Sequence, residues 1–309
     1  MGLQDMNQTS QTSPRKLLQA LLCVSAAMAG MSAAAPVMAQ AAPPAAAGPA
    51  SGAADINVTP RRVIFEGSKR ADAVYVFNQG TAEVTVDVAL VDNAMLPSGE
   101  IVPMARIAEK GPEAAASAAL VKSAKPLLLA APSRLTLPPG QGRTIRLRAS
   151  APADAAAAEY RTHLTVTTVP PADSGLTAEQ ASAVQRGELV LRIQSIFGVS
   201  IPLIVRTGGV SATAAFGPMR TGEVKGKPVF LVPIRRSGSA SLYGNIEVRS
   251  GKAVIGKVRG LGVYPEIGER LAEVPLDRAL RKGETVTVTY FADEAKPGTA
   301  LAAGSFTAP

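Results

Sequence analysis

Residues 187–206, GELVLRIQSIFGVSIPLIVR, constrain the fold more than any other stretch of the chain. Every second residue from 189 to 205 is apolar (Leu189, Leu191, Ile193, Phe197, Val199, Ile201, Leu203, Val205), with Ser195 the single interruption. A strand turns alternate side chains to one face. The pattern therefore predicts about 18 residues of strand, against a usual length of ~5–6. The other face carries Arg192, Gln194, Ser200 and Arg206, which suits water or a sheet margin. A long edge strand of this kind normally invites pairing with another chain, and its retention points to strand lending. Beyond Phe197, Gly198 and Pro202 disturb edge pairing, so the later residues are expected in the chain's own core.

The start of the chain predicts export. Arg15 and Lys16 precede an apolar, Ala-rich run to about Ala35, and Pro36-Val37-Met38-Ala39 follows. A basic segment, an apolar segment and a small-residue site in that order read as a signal peptide, residues 1–39, cleaved after Ala39. The run is too short and too Ala-rich for a membrane span, and nothing later qualifies, so no stable membrane insertion is expected. The only cysteine, Cys23, leaves with the leader. The mature chain then has neither disulfide nor thiol chemistry, and its stability must come from apolar cores. Cleavage removes two cations and one acid from a chain of 32 Lys+Arg and 24 Asp+Glu, leaving about +7. The basic residues are scattered and Trp is absent, which argues against nucleic acid.

Residues 40–54, QAAPPAAAGPASGAA, read as a disordered Ala/Pro linker. From Asp55 to Arg206 short alternating runs lie between turn signals, the pattern of an all-β sandwich. The predicted strands are Ile56–Val58, Arg62–Phe65, Ala73–Phe77, Val84–Leu90, Leu135–Leu137, Thr144–Arg148 and Tyr160–Val169. Two stretches interrupt them. Residues 111–125 are Ala-rich and suit a short helix or a loose excursion; residues 174–186 carry Thr177 and Gln180, a capping-box pair, and suit a partly helical loop. Thr207-Gly208-Gly209 marks a hinge. Residues 207–309 repeat the β pattern, with strands at 229–232, 245–248, 255–258 and 285–291 and turns at Ser237-Gly238, Ser250-Gly251 and Lys282-Gly283, so a second, smaller sandwich is expected.

Catalytic chemistry finds no support in the sequence. His163 is the sole histidine and sits inside the alternating run YRTHLTV, where it reads as structural. With no second histidine and no mature cysteine, metal sites and the usual nucleophile–base pairs lack their parts. Gly140 and Gly142 follow two prolines and mark a turn rather than a phosphate loop. No enzyme, metal or cofactor is expected.

Five stretches, in order, resemble the periplasmic chaperones of the chaperone–usher pilus pathway. Arg62–Gly67 is similar to the family's first-strand motif, and Arg134–Gln141 followed by Ile145-Arg146-Leu147 to its central signature. Glu159-Tyr160-Arg161-Thr162-His163-Leu164 resembles the EYRSHL motif of the archaic (σ-fimbrial) branch, while Arg236–Gly244 and Gly262-Val263-Tyr264 resemble second-domain motifs of that branch.

The resemblance implies two immunoglobulin-like β-sandwich domains, 55–206 and 207–309, in an L-shaped arrangement. It implies a periplasmic chaperone that complements pilus or fimbrial subunits with its own strand and delivers them to an outer-membrane usher. The donor residues would be Leu189, Leu191 and Ile193, with Phe197. The subunit carboxylate would be held by Arg62, with Arg192 or Arg206 standing in for the lysine of the common branch, since Ser200-Ile201-Pro202 has none. Arg161 is expected to be an intramolecular structural residue. A fimbrial or envelope Ig-like structural or binding protein is the alternative. A pilus subunit generally carries a disulfide and an N-terminal donor segment, both lacking here, and a polysaccharide-binding module favours exposed aromatics, which are few.

Overall fold

The computed structural model describes residues 55–151, 155–170, 178–187, 189, 195–293 and 298–309. The leader, the linker and three of the expected site residues (Leu191, Arg192 and Ile193) lie outside them. The described chain is all-β, as its alternating runs demand, and its four main sheets pair face to face around two apolar cores.

The first sandwich opposes two sheets. One has the order β1 (Ile56–Thr59), β3 (Ala71–Asn78), β9 (Gly142–Ala149), β7 (Leu128–Ala131). The other has the order β2 (Val63–Phe65), β11 (Gly198–Thr207), β10 (Ala158–Val169), β4 (Val84–Val91), β8 (Arg134–Leu137). Alternation puts one set of side chains inward from each: Val74 and Val76 from β3, Ile145 and Leu147 from β9, Val86 from β4, Leu164 and Val166 from β10. Burial of each such side chain contributes about 1.5–3 kcal/mol. The chain changes sheet at its start. β1 pairs antiparallel with β3, and after Pro60-Arg61-Arg62 the short β2 pairs parallel with β11.

The long predicted strand needs correction. Its described strand is the ten-residue β11, Ser195–Phe197 precede it without strand geometry, and residues 188 and 190–194 lie outside the described residues. The reason lies in its neighbour. β10 supports β11 from Thr207, opposite Ala158, only as far as Gly198, opposite Thr167. Phe197 still exchanges hydrogen bonds with Thr168, its N–H donating to Oγ1 at 2.9 Å and its carbonyl accepting from the Thr168 N–H at 2.8 Å. There the ladder ends. Gly198 and Pro202 both sit within the β10–β11 ladder, and Pro202 lies one residue before β11 gains β2 on its other side.

Between β4 and β7 the chain leaves the sandwich. A hairpin of β5 (Asn93–Met95) and β6 (Ile101–Pro103) leads into a 3-10 turn, Met104–Lys110, and then α1 (Pro112–Ala119). Ala94, Val102, Ile107 and Ala114 form a small core of their own. Of the two forms considered for residues 111–125, the helix is present, opened by a proline in its first turn, where the missing N–H costs nothing. The hairpin was not anticipated. α2 (Ala178–Gln185) bears out a helix in the second interruption, though Thr177 of the capping-box pair lies outside the described residues.

The second sandwich pairs a sheet of β12 (Ala212–Phe216), β14 (Lys227–Gly238), β13 (Arg220–Val224) and β17 (Glu269–Pro275) with one of β16 (Ala253–Val263), β15 (Leu242–Ser250), β18 (Thr285–Ala292) and β19 (Ala300–Thr307). Phe230, Val232 and Ile234 face Ile246, Val248, Val286, Val288 and Tyr290 across its core. The reversal expected at Ser237-Gly238 falls later. β14 runs through Gly238, whose φ of +106° places it where L side chains are strained, and the chain turns at Ser239-Ala240.

Candidate functional site: an exposed donor segment beside an arginine-rich junction

The alternating row of residues 189–205 divides in two. Ile201, Leu203 and Val205 are at most 3% exposed and belong to the first core, with Val199 packed against it. Before the ladder ends the chain's own sheet covers this face; past its end nothing among the described residues does. Leu189 is 92% exposed, Phe197 46% and Ile196 62%, the first two in the odd-numbered row of the sequence. Three large apolar residues in nine positions thus meet water immediately before a strand whose later residues form a core.

The second component lies where the two sandwiches meet. In β10, Glu159 and Arg161 share one face by alternation, while Tyr160 and Leu164 pack into the first core on the other. Glu159 Oε2 accepts from the Ser241 N–H at 3.0 Å, the Ser241 hydroxyl at 3.1 Å and Arg206 Nε at 3.0 Å. Arg161 makes a buried, two-pronged ion pair with Glu266. It also donates to the Asn93 carbonyl at 2.9 Å and stacks 3.7 Å from the Tyr264 ring centre. Glu266 in turn accepts the Met95 N–H at 2.8 Å. Arg236 donates to the carbonyls of Gly238, Ala240 and Pro265, and its burial lowers its pKa.

Arg62, half-buried between β1 and β2, reaches the same place. Its guanidinium donates to Ser241 Oγ at 3.0 Å and lies 4.4 Å from the Tyr243 ring centre and 5.8 Å from that of Tyr264. Arg206 approaches the same hydroxyl at 3.5 Å and pairs with Glu66 at 3.2 Å as well as with Glu159. Two guanidinium groups therefore converge on one serine, and each is pre-positioned by a ring or a carboxylate. A planar guanidinium held in this way suits two-pronged recognition of a carboxylate. Arg206 is engaged by two acids, Glu66 and Glu159. Both terminal nitrogens of Arg161 are engaged within the chain.

Glu266, Ser241, Tyr243 and Met95 were not singled out by sequence reasoning as partners. Ser241, Tyr243 and Tyr264 stand in stretches read for resemblance, but their contacts with Arg62, Glu159 and Arg161 span 82–202 residues of chain and leave no local periodicity. Alternation in Glu159-Tyr160-Arg161 was the only readable signal. His163, further along β10, is buried, with Nδ1 lacking a hydrogen-bond partner; burial, aided by the Arg161 charge, lowers its pKa to about 3. Among the described residues no cluster of three or more His, Cys, Asp or Glu side chains is placed to hold a metal, and no helix is long and apolar enough to cross a membrane.

No family model and no curated protein sequence matches the chain. Among solved structures it is similar to the YadV chaperone, with 14% identity and a TM-score of 0.43 over 82% of this chain and 99% of that one. It is similar to the CupB2 chaperone of Pseudomonas aeruginosa, with 13% identity and a TM-score of 0.39 over 82% of this chain and 100% of that one. A complex of CsuC with the tip subunit CsuE, from the archaic chaperone–usher Csu pili of Acinetobacter baumannii, matches with 10% identity and a TM-score of 0.42, over 82% of this chain and 98% of that one.

Proposed function

We propose that the protein is a periplasmic chaperone that holds pilus or fimbrial subunits by lending them the segment before β11 and passes them to an outer-membrane usher. The observation that carries this reading is the division of one alternating row into a part buried in its own core and a part exposed ahead of it. A subunit sandwich lacking one strand offers a groove with free main-chain groups and an uncovered core. A strand with apolar side chains at every second position satisfies both. Leu189, Leu191, Ile193 and Phe197 are the anchors. Each buried anchor is worth about 1.5–3 kcal/mol before the cost of ordering the segment. Arg62, beside Ser241 and Tyr243, receives the subunit's terminal carboxylate, with Arg192 as the second cation. The basic, apolar and small-residue order of residues 1–39 supports export from the cytoplasm for this work.

Co-purification with a neighbouring pilin from the periplasm tests the reading, with the double substitution Leu189→Glu/Leu191→Glu as the comparison. A one-to-one complex with the wild type, lost in the substituted protein while its melting temperature is kept, is the expected result. Retention of the subunit by the substituted protein, or absence of any subunit from the wild-type preparation, overturns strand lending through this segment.

A further inference from the structure

We propose that the outer face of the sheet β1–β3–β9–β7 is a second docking surface, for an extended acidic peptide laid beside β7 with its alternate carboxylates on Arg146 and Arg148. This face belongs to the sheet opposite β11, so the inference stands apart from strand lending.

Ile145 and Leu147 of β9 point into the core, which turns Arg146 and Arg148 outward. Their neighbours across the ladders are small or apolar: Ala73 and Ala131 flank Arg146, Ala71 and Leu129 flank Arg148. Both guanidinium groups therefore stand clear of the surface, and among the described residues no carboxylate pairs with either. Several surface cations elsewhere are paired (Arg134 with Asp87, Arg235 with Glu269, Lys257 with Glu247, Arg278 with Glu284), whereas these two stand side by side on one face without an acid among the described residues. Arg70, just before β3, adds to the positive charge beside Arg148 and donates to the nearby carbonyls of Gly67 and Lys69. The nearest acid in β3, Asp72, alternates to the other face and is held by Lys69.

Three features select the ligand. Residues two apart on a strand are separated by about 6.5 Å, the repeat of alternate side chains on any extended peptide, so two arginines can each take a carboxylate in two-pronged geometry. β7 closes the sheet on that side with no strand beyond it among the described residues, leaving main-chain groups for an added strand. Leu129, 69% exposed on β7 and opposite Arg148, supplies an apolar contact beside it. An anionic membrane uses neither the spacing nor the edge, and a single leucine is a poor anchor for it.

The mature protein is titrated with a fluorescein-labelled peptide of five Glu-Thr repeats and with a block peptide of five Glu followed by five Thr. Saturable, salt-sensitive binding of the alternating peptide, about tenfold tighter than the block peptide, is expected. Arg146→Gln/Arg148→Gln should weaken it about tenfold with the melting temperature unchanged, and Arg134→Gln should leave it intact. Equal binding of the two peptides, insensitivity to the double substitution, or no binding overturns the proposal. So does arginine-dependent attachment to phosphatidylglycerol vesicles in the absence of peptide binding, which would give the face to a membrane.

Discussion

Arg62 illustrates how a single side chain serves two neighbours. Its guanidinium rests on the Tyr243 ring and donates to Ser241, both in the second sandwich, while its backbone leads into β2 of the first. A half-exposed cation–π contact and one hydrogen bond are together worth on the order of 1–2 kcal/mol. Arg62→Ala should therefore lower the melting temperature by only a few degrees yet sharply reduce subunit capture, and Arg62→Lys should retain part of it; normal capture by the alanine protein, measured by co-purification, removes Arg62 from the site. His163 makes a different kind of prediction. Its folded pKa, about 3, lies below the unfolded value of ~6.5. The unfolded chain therefore binds the proton first as pH falls. Stability from this group is complete above about pH 6.5 and is lost toward pH 3, by up to about 1.4 kcal/mol per pH unit. Urea unfolding at pH 7 and pH 5 should show the loss in the wild type and much less of it in His163→Gln; equal losses would mean that carboxylates carry it. The sequence placed His163 correctly inside a strand, because alternation is local. It could not supply the rings and acids around Arg62 and Arg161, because those arrive from distant segments.

Strands were readable where β-branched residues alternate, and unreadable where they do not. β19, ALAAGSFT, is assembled from Ala and Gly and carries no such signature, yet it pairs along β18 from Phe291 to Thr285 because β18 offers it an edge. The 18-residue run failed in the opposite way. Its alternation was genuine, but alternation specifies which face a residue takes and not whether a neighbouring strand is there to hold it. The hairpin of β5 and β6 shows the same limit. It has three-residue strands and a turn at Pro97-Ser98-Gly99, and it is held by its own small core and by contact with the other sandwich. Met95 is buried in the second core, and the Pro97 carbonyl accepts the Leu271 N–H at 2.9 Å. The Gly99 turn lies so close to the Arg270 guanidinium that a Cβ there would meet it at 2.3 Å, and φ is +86°. Met95→Ala should cost about 2–5 kcal/mol by opening a cavity in the second core, read by urea denaturation. A cost under 1 kcal/mol would show that the hairpin merely rests on the surface. Gly99→Ala should destabilise too, through backbone strain at its positive φ.

At the scale of the molecule the two sandwiches have separate cores, yet buried side chains join them. The junction has its charges inside. Arg161 and Glu266 are each about 3% exposed, Glu159 is capped by Ser241, and Met95 crosses over as an apolar pin. A buried ion pair of this kind adds little compared with an apolar pair of the same shape, whereas breaking it by removing one partner costs about 3–5 kcal/mol. Separating the sandwiches would leave charges desolvated on one side or force their rehydration, and either event links the two unfolding reactions. Calorimetry of the wild type should therefore give a single endotherm whose van't Hoff and calorimetric enthalpies agree. Glu266→Leu leaves Arg161 buried without its counter-charge and frees the Met95 N–H, so the endotherm should fall in temperature and divide in two. Adding Arg161→Met to Glu266→Leu removes the stranded charge and should restore much of the lost temperature, because the pair is then replaced rather than broken. Two well-separated transitions in the wild type would mean that the junction does not couple the cores. A double variant no better than the single one would mean that geometry at Glu266, including its bond to Met95, matters more than its charge.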